Sequence, residues 1–142
     1  MREAVIYDLD GTLCDTSSIE HLIEGEERDF AAFHAASAEC SPRQEVLAAA
    51  RSDHDAGRAV LVVTSREFIW RDLTLDWLAR HDVPHDGLYL RVVGDYRTDL
   101  VVKGEIWDHL VEDGFAVVGA WDDKQGVLDV WGHRGVGDLH LV

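Results

Sequence analysis

Apolar residues along this chain fall into two alternating patterns: short unbroken runs, and longer stretches in which they recur every three or four positions. The unbroken runs are Ala4-Val5-Ile6-Tyr7 within Glu3 to Asp8, Ala59 to Val63, Leu88 to Val93, Phe115 to Trp121 and Leu139 to Val142. Each run predicts a strand; Glu3 to Asp8 is of the kind buried on both faces, as in a parallel sheet, and Ala59 to Val63 is a second clear buried strand. Between them, Val46, Leu47 and Ala50 predict a helix that opens with Ser41 as N-cap and Pro42 in the first helical position and stops at Gly57. Ile69, Leu73, Trp77 and Leu78 predict a helix over Phe68 to His81, ended by Val83-Pro84. Asp99 is the expected cap of a helix through Val102, Ile106, Leu110 and Val111, and Val127, Leu128 and Trp131 mark a last helix that ends around Gly135.

The stretch from Asp15 to about Ala38 is different. Ile19, Leu22, Ile23, Phe30 and Phe33 sit among many acids there, which predicts one or two helical pieces interrupted near Gly25. Strand and helix otherwise alternate throughout, so the expectation is an α/β fold: a three-layer α/β/α, Rossmann-like arrangement with a mainly parallel sheet. In such sheets ligands bind at the carboxyl ends of the strands. Polar clusters fall at those ends: Asp8-Leu9-Asp10-Gly11-Thr12, Thr64-Ser65-Arg66, Gly94 to Thr98, and Asp122-Asp123.

Composition narrows the class. A chain of 142 residues, 46% hydrophobic, suits one domain over residues 1–142 with a sizeable core. No apolar run approaches the length of a membrane span and the first residues do not resemble a signal peptide, so a soluble, cytoplasmic protein without membrane contact is expected. Cys14 and Cys40, the only cysteines, make neither a disulfide framework nor a zinc site. Lys and Arg total 13 against 28 Asp and Glu, a formal charge of −15, which opposes non-specific attraction to nucleic acid.

Asp8 and Asp10 lie two residues apart at the end of a buried strand, and Gly11 lets the backbone turn as the strand ends. Asp and Gly also form ordinary turns, the plain alternative for these residues taken alone. As chemistry, a carboxylate attacks phosphorus only if the repulsion between two anions is screened, which calls for a hard divalent cation on oxygen ligands. The eight histidines form no metal-binding spacing and are expected at the surface or satisfied, and Trp121, next to Asp122, is a candidate to stack on a base or to pack in the core.

Asp8-Leu9-Asp10-Gly11-Thr12, Thr64 after a hydrophobic strand, Lys103, and Asp122-Asp123 after the next strand resemble, in order, the four motifs of the haloacid dehalogenase (HAD) superfamily. Within it, Val63 to Glu67, the run from Arg91 through Gly94-Asp95-Tyr96-Arg97-Thr98-Asp99 to Lys103, and Asp122 to Gln125 resemble the phosphatase domain of bacteriophage-type polynucleotide kinase, which removes 3′-phosphates from nucleic-acid ends. The resemblance implies that Asp8 is a nucleophile forming an aspartyl-phosphate and that Asp10 is the general acid and then base. It implies that Thr64 bonds a phosphoryl oxygen and that Lys103 neutralises charge. Mg2+ would be held by Asp8, the Asp10 main-chain carbonyl and a motif-four acid, Asp122 first and Asp123 beside it. Ser65, Arg66 and Arg97 are implied as substrate contacts, against surface ion pairs as the alternative for the arginines, and Asp99 is expected to orient Arg97 or Lys103.

Two departures from the family matter. No G-x-x-x-x-G-K-[ST] is present, so phosphorylation of 5′ ends is not expected of this chain, and Leu13 to Glu24 carries no Arg or Lys where the resembling domains have a basic residue. The leading expectation is a Mg2+-dependent phosphomonoesterase acting on nucleic-acid 3′-phosphate ends or phosphorylated nucleotides, short ends being favoured because long duplexes are poor ligands unless Arg66, Arg91, Arg97 and Lys103 make a locally positive mouth. The alternatives are a small-metabolite phosphatase such as a nucleotidase, and a non-catalytic subunit that partners a separate kinase or ligase. Residues 15–38 are the candidate for a minimal helical cap, and self-association into a homo-oligomer is a further way to close the site.

Overall fold

A computed structural model describes all 142 residues. Its elements in chain order are β1 (Arg2–Tyr7), α1 (Phe30–Ala36), α2 (Gln44–Asp55), β2 (Ala59–Glu67), α3 (Arg71–Arg80), β3 (Gly87–Arg91), α4 (Asp99–Glu112), β4 (Phe115–Asp122), α5 (Gln125–His133) and β5 (Asp138–Leu141), with 3-10 turns over Glu20–Ile23, Ser37–Glu39 and Phe68–Trp70. The five strands form one sheet in the order β3-β2-β1-β4-β5, and all four pairings are parallel.

Period-two alternation in the central strands divides the core into two layers. Val5, Tyr7, Val60 and Val62 face one side and pack with Val46, Leu47, Trp77 and Leu78 of α2 and α3. Ala4, Ile6, Leu61 and Val63 face the other and pack with Ile106, Leu110, Leu128 and Trp131 of α4 and α5. Every one of these side chains is buried, which is why the central strands read as unbroken apolar runs. Truncating Ile6 to Ala at the centre of this stack costs about 2–5 kcal/mol.

The chain steps outward from β1 to β2 to β3, then crosses back to place β4 on the other side of β1. That reversal opens a crevice beyond the carboxyl end of β1, the place where open α/β sheets bind ligands. Asp8 follows β1 there, and its amide donates to the Trp121 carbonyl at 3.0 Å, which continues the sheet's pairing up to the site.

Three expected boundaries shift. The helix expected to open at Ser41-Pro42 begins at Gln44, because residues 41–43 lie extended beside the loop after Asp10: the Asp15 amide donates to Ser41 O and the Arg43 amide to Leu13 O, both at 2.9 Å. Those main-chain bonds take precedence over a cap. Thr98, not Asp99, is the N-cap of α4, and Asp99 is its first helical residue with its side chain committed elsewhere. Strand β3 ends at Arg91, leaving Val92 and Val93 exposed in the following loop.

Candidate active site

Lys103 is the centre of the site. It sits one turn into α4 with 3% of its surface exposed, and its ammonium donates to Asp8 Oδ1 at 3.0 Å and to Asp122 Oδ2 at 2.9 Å. Burial works against a charged amine, but the adjacent Asp8 and Asp122 carboxylates outweigh it and raise the Lys103 pKa. On Asp8 the balance runs the other way: burial pushes its carboxyl up to about 8, Lys103 opposes this, and Asp122 and Asp123 reinforce it. The second oxygen of Asp8 accepts from the Thr12 hydroxyl at 3.0 Å.

Gly11 is required twice over. Its φ of +82° is a left-handed conformation that side chains resist, and a Cβ there would collide with the Asp123 carboxylate. The turn that follows β1 therefore comes close to the end of β4, and one oxygen each of Asp8, Asp122 and Asp123 lie within 4.8 Å of one another. Three carboxylates face one ammonium. The donors are all oxygen and the local charge is negative, so the group fits a hard divalent cation such as Mg2+.

Asp10 turns away from this triad toward β2. Arg66, 1% exposed, grips both of its oxygens, from Nε at 3.0 Å and from Nη2 at 2.7 Å. The same guanidinium donates to Thr74 Oγ1 of α3 and Ser37 Oγ, each at 2.9 Å. Arg66, expected as a substrate contact, lines the cavity and makes four protein bonds that tie Asp10 to α3 and to the turn after α1. Burial opposes its charge, but the bonds it donates to Asp10 and the Asp10 charge outweigh that and raise its pKa.

Thr64, fully buried within β2, and Ser65 line the cavity, with Ser65 Oγ buried and free of a hydrogen-bond partner. Asp99 was expected beside Arg97 or Lys103. It accepts from Arg91 Nη2 at 2.7 Å and from Lys124 Nζ at 2.6 Å, so it orients those two cations. Arg97 lines the cavity's edge and pairs with Asp95, at 2.7 Å, and with Glu105. The condition for binding a long duplex, a locally positive mouth, is not met: among the residues around the cavity, five lysines and arginines face nine acids, and each of the five pairs with at least one protein carboxylate or carbonyl.

Sequence reasoning missed His34. It projects from α1 into the cavity with its Nδ1 buried, unpartnered and 3.9 Å from Asp10 Oδ2. Burial holds its pKa down, to about 4, against the pull of the Asp10 charge. Nothing in the local pattern marks this histidine, because its position depends on how the segment before α2 folds over the sheet. Trp121 takes the core-packing alternative. It stacks between Tyr7 and His140, at 6.0 and 4.1 Å, against the α2–α3 layer and away from the cavity. Residues adjacent in a strand point to opposite sides, so a site-facing Asp122 sends Trp121 away.

The cavity these groups enclose has a volume of about 600 Å³ and opens at the carboxyl edge of the sheet. No helix is long and apolar enough to cross a membrane.

Comparison with known proteins sharpens this geometry. The family described as the polynucleotide kinase PNKP phosphatase domain matches residues 2–140. A chain in the structure of a Pnkp1/Rnl/Hen1 complex is 26% identical with a TM-score of 0.81; the alignment covers all of this chain and 46% of that one, so the chain spans less than half the length of this relative. The tungstate-bound class C acid phosphatase of Bacillus anthracis is 18% identical with a TM-score of 0.68, over 86% of this chain and 52% of its own. A HAD family enzyme of Bacteroides thetaiotaomicron, solved with magnesium and inorganic phosphate, is 12% identical with a TM-score of 0.59, over 99% of this chain and 94% of its own. No curated protein sequence matches. With a family match over nearly its whole length and four motifs gathered at one sheet edge, the chain belongs to the PNKP phosphatase-domain family and has the Rossmann-like fold of HAD phosphatases.

Proposed function

We propose that this chain is a Mg2+-dependent phosphomonoesterase that removes 3′-phosphates from polynucleotide ends or nucleotides through an aspartyl-phosphate on Asp8. The observation that carries the reading is Lys103 held between Asp8 and Asp122 at the floor of an open cavity, in a chain of the PNKP phosphatase-domain family. Asp8 attacks phosphorus while the P–O bond to the leaving oxygen breaks, and Asp10 gives that oxygen its proton. Asp10 then takes a proton from the water that displaces phosphate from Asp8. Lys103 and Thr64 hold charge on the phosphoryl oxygens.

In the resting position both Asp10 oxygens accept bonds from Arg66. Protonation weakens the bond that Arg66 donates to the oxygen carrying the proton, so serving as acid loosens the Arg66 clamp on Asp10. Bound Mg2+, with Asp8, the Asp10 main-chain carbonyl and Asp122 or Asp123 as ligands, would neutralise phosphate charge and fix its orientation. The donor bonds that both Asp122 oxygens already accept, from Lys103 and from the Lys124 amide, favour Asp123 as the freer ligand.

Residues 15–38 serve as a minimal cap in a single domain over residues 1–142. Support comes from His34, Phe30 and Ile23, which bring that segment over the cavity. A separate kinase or ligase is the proposed partner, by analogy with the three-protein Pnkp1/Rnl/Hen1 assembly. The acidic cavity surround favours a second reading, a phosphatase of small phosphorylated metabolites, because it offers an extended polyanion little attraction.

The test is phosphate release from two oligonucleotides that differ only in carrying the phosphate at the 3′ or the 5′ end. Release from the 3′ end alone, abolished by EDTA, is expected. Turnover of a small aryl phosphate with neither oligonucleotide cleaved would move the substrate to a metabolite.

A further inference from the structure

The charge balance of the cavity leaves a question that its aromatic residues answer. A 3′-phosphate at Lys103 leaves its sugar and base to the rest of a cavity whose lining includes Glu20, Glu24, Glu67 and Asp95 and whose cations are all paired with protein groups. Recognition of the rest of the ligand has to be uncharged. Of the aromatic side chains that line the cavity, Phe33 is buried, but Phe30 is 51% and Tyr96 86% exposed. The two come from different elements, α1 and the loop between β3 and α4.

Tyr96 is exposed but not loosely held. The buried Arg91 donates from Nη1 to the carbonyls of both its neighbours, Asp95 at 2.9 Å and Arg97. The Arg97 amide donates to Asp95 Oδ1 at 3.1 Å, and the Gly94 amide to Glu67 Oε2 at 3.1 Å. A buried arginine thus braces the backbone on either side of a ring that stacks on no other aromatic and makes no hydrogen bond. Such bracing lowers the ordering cost of a contact. Phe30 packs one way against His34, with ring centres 6.4 Å apart, and remains half exposed.

We propose that Tyr96, with Phe30, is the stacking platform for the nucleobase at the phosphorylated 3′ terminus. This rests on the 3′-phosphatase reading and names how that substrate is recognised. Stacking suits an acidic site because it needs no positive charge, and every base presents a π face, so the contact selects for a base without selecting its sequence.

The test compares kcat/KM for two oligonucleotides with a 3′-phosphate, identical except that one ends in an abasic nucleotide. The wild-type protein is expected to favour the base-bearing end by about tenfold or more, the equivalent of one stacked base. Tyr96→Ala is expected to lower that ratio about tenfold, Phe30→Ala to lower it less, and Tyr96→Phe to preserve it. Because Tyr96 is exposed, its truncation leaves the core intact, which circular dichroism checks. A ratio unchanged in Tyr96→Ala, or both substrates losing equally, overturns the platform while leaving the 3′-phosphatase reading standing. A wild-type protein that cleaves neither oligonucleotide but hydrolyses an aryl phosphate overturns both.

Discussion

Replacing Arg66 with Met tests the buried clamp on Asp10. The substitution keeps much of the side chain's apolar volume but removes four donated bonds: two to Asp10, one to Thr74 and one to Ser37. Arg66 is 1% exposed, whereas the Asp10 side chain is 20% exposed and water can reach it once the partner is gone. Breaking a buried charge pair costs about 3–5 kcal/mol, and the partial access of Asp10 points to the lower end, about 3 kcal/mol. For a chain of this size that is a fall in Tm of about 10 °C. The assay is urea unfolding followed by fluorescence of the five tryptophans. A double-mutant cycle with Asp10→Asn isolates the pair, because either single change strands the other group. The double variant is expected to lose less than the sum of the singles by about 2 kcal/mol. A loss below about 1 kcal/mol for Arg66→Met, or additive costs in the cycle, would refute the clamp.

Three further outcomes follow from the same geometry. Lys103→Met is expected to lower kcat about 10²–10³-fold with a smaller change in KM, because its charge is needed most as the phosphoryl group transfers; steady-state kinetics reads it. His34, whose pKa falls from 6.5 unfolded to about 4 folded, gives the unfolded state more bound protons between those values. Stability is therefore fully present above pH 6.5 and declines as pH falls toward 4, by about 2–3 kcal/mol from this group. Urea midpoints across that range should lose this component in His34→Phe. Added Mg2+ is expected to raise Tm, and the rise should shrink in Asp123→Asn; an equal rise in both would remove Asp123 from the metal site.

Much of this molecule is legible in its sequence, for identifiable reasons. Strands buried on both faces must be apolar throughout, so β1 and β2 stand out as runs, and the polar residues that end the runs mark the ligand edge. Asp8, Lys103, Asp122 and Asp123 converge because each lies at or just beyond that edge. Other features depend on contacts between distant segments. Ser41-Pro42 carries a helix-start pattern, yet pairing with residues 13–15 holds it extended. Arg66 and Asp99 have the right chemistry for a phosphate site, but the carboxylates and cations they meet come from other strands and helices. His34 shows the same limit from the other side, since its position depends on a short, acid-rich segment with little helical signal.

Acid-quenched mass spectrometry tests most directly whether Asp8 is the nucleophile. The protein, mixed with Mg2+ and an excess of 3′-phosphorylated oligonucleotide and quenched in the steady state, is expected to carry one phosphoryl group on the peptide that contains Asp8. Asp8→Asn should carry none and release no phosphate. An unmodified peptide together with undiminished phosphate release by Asp8→Asn would contradict that role.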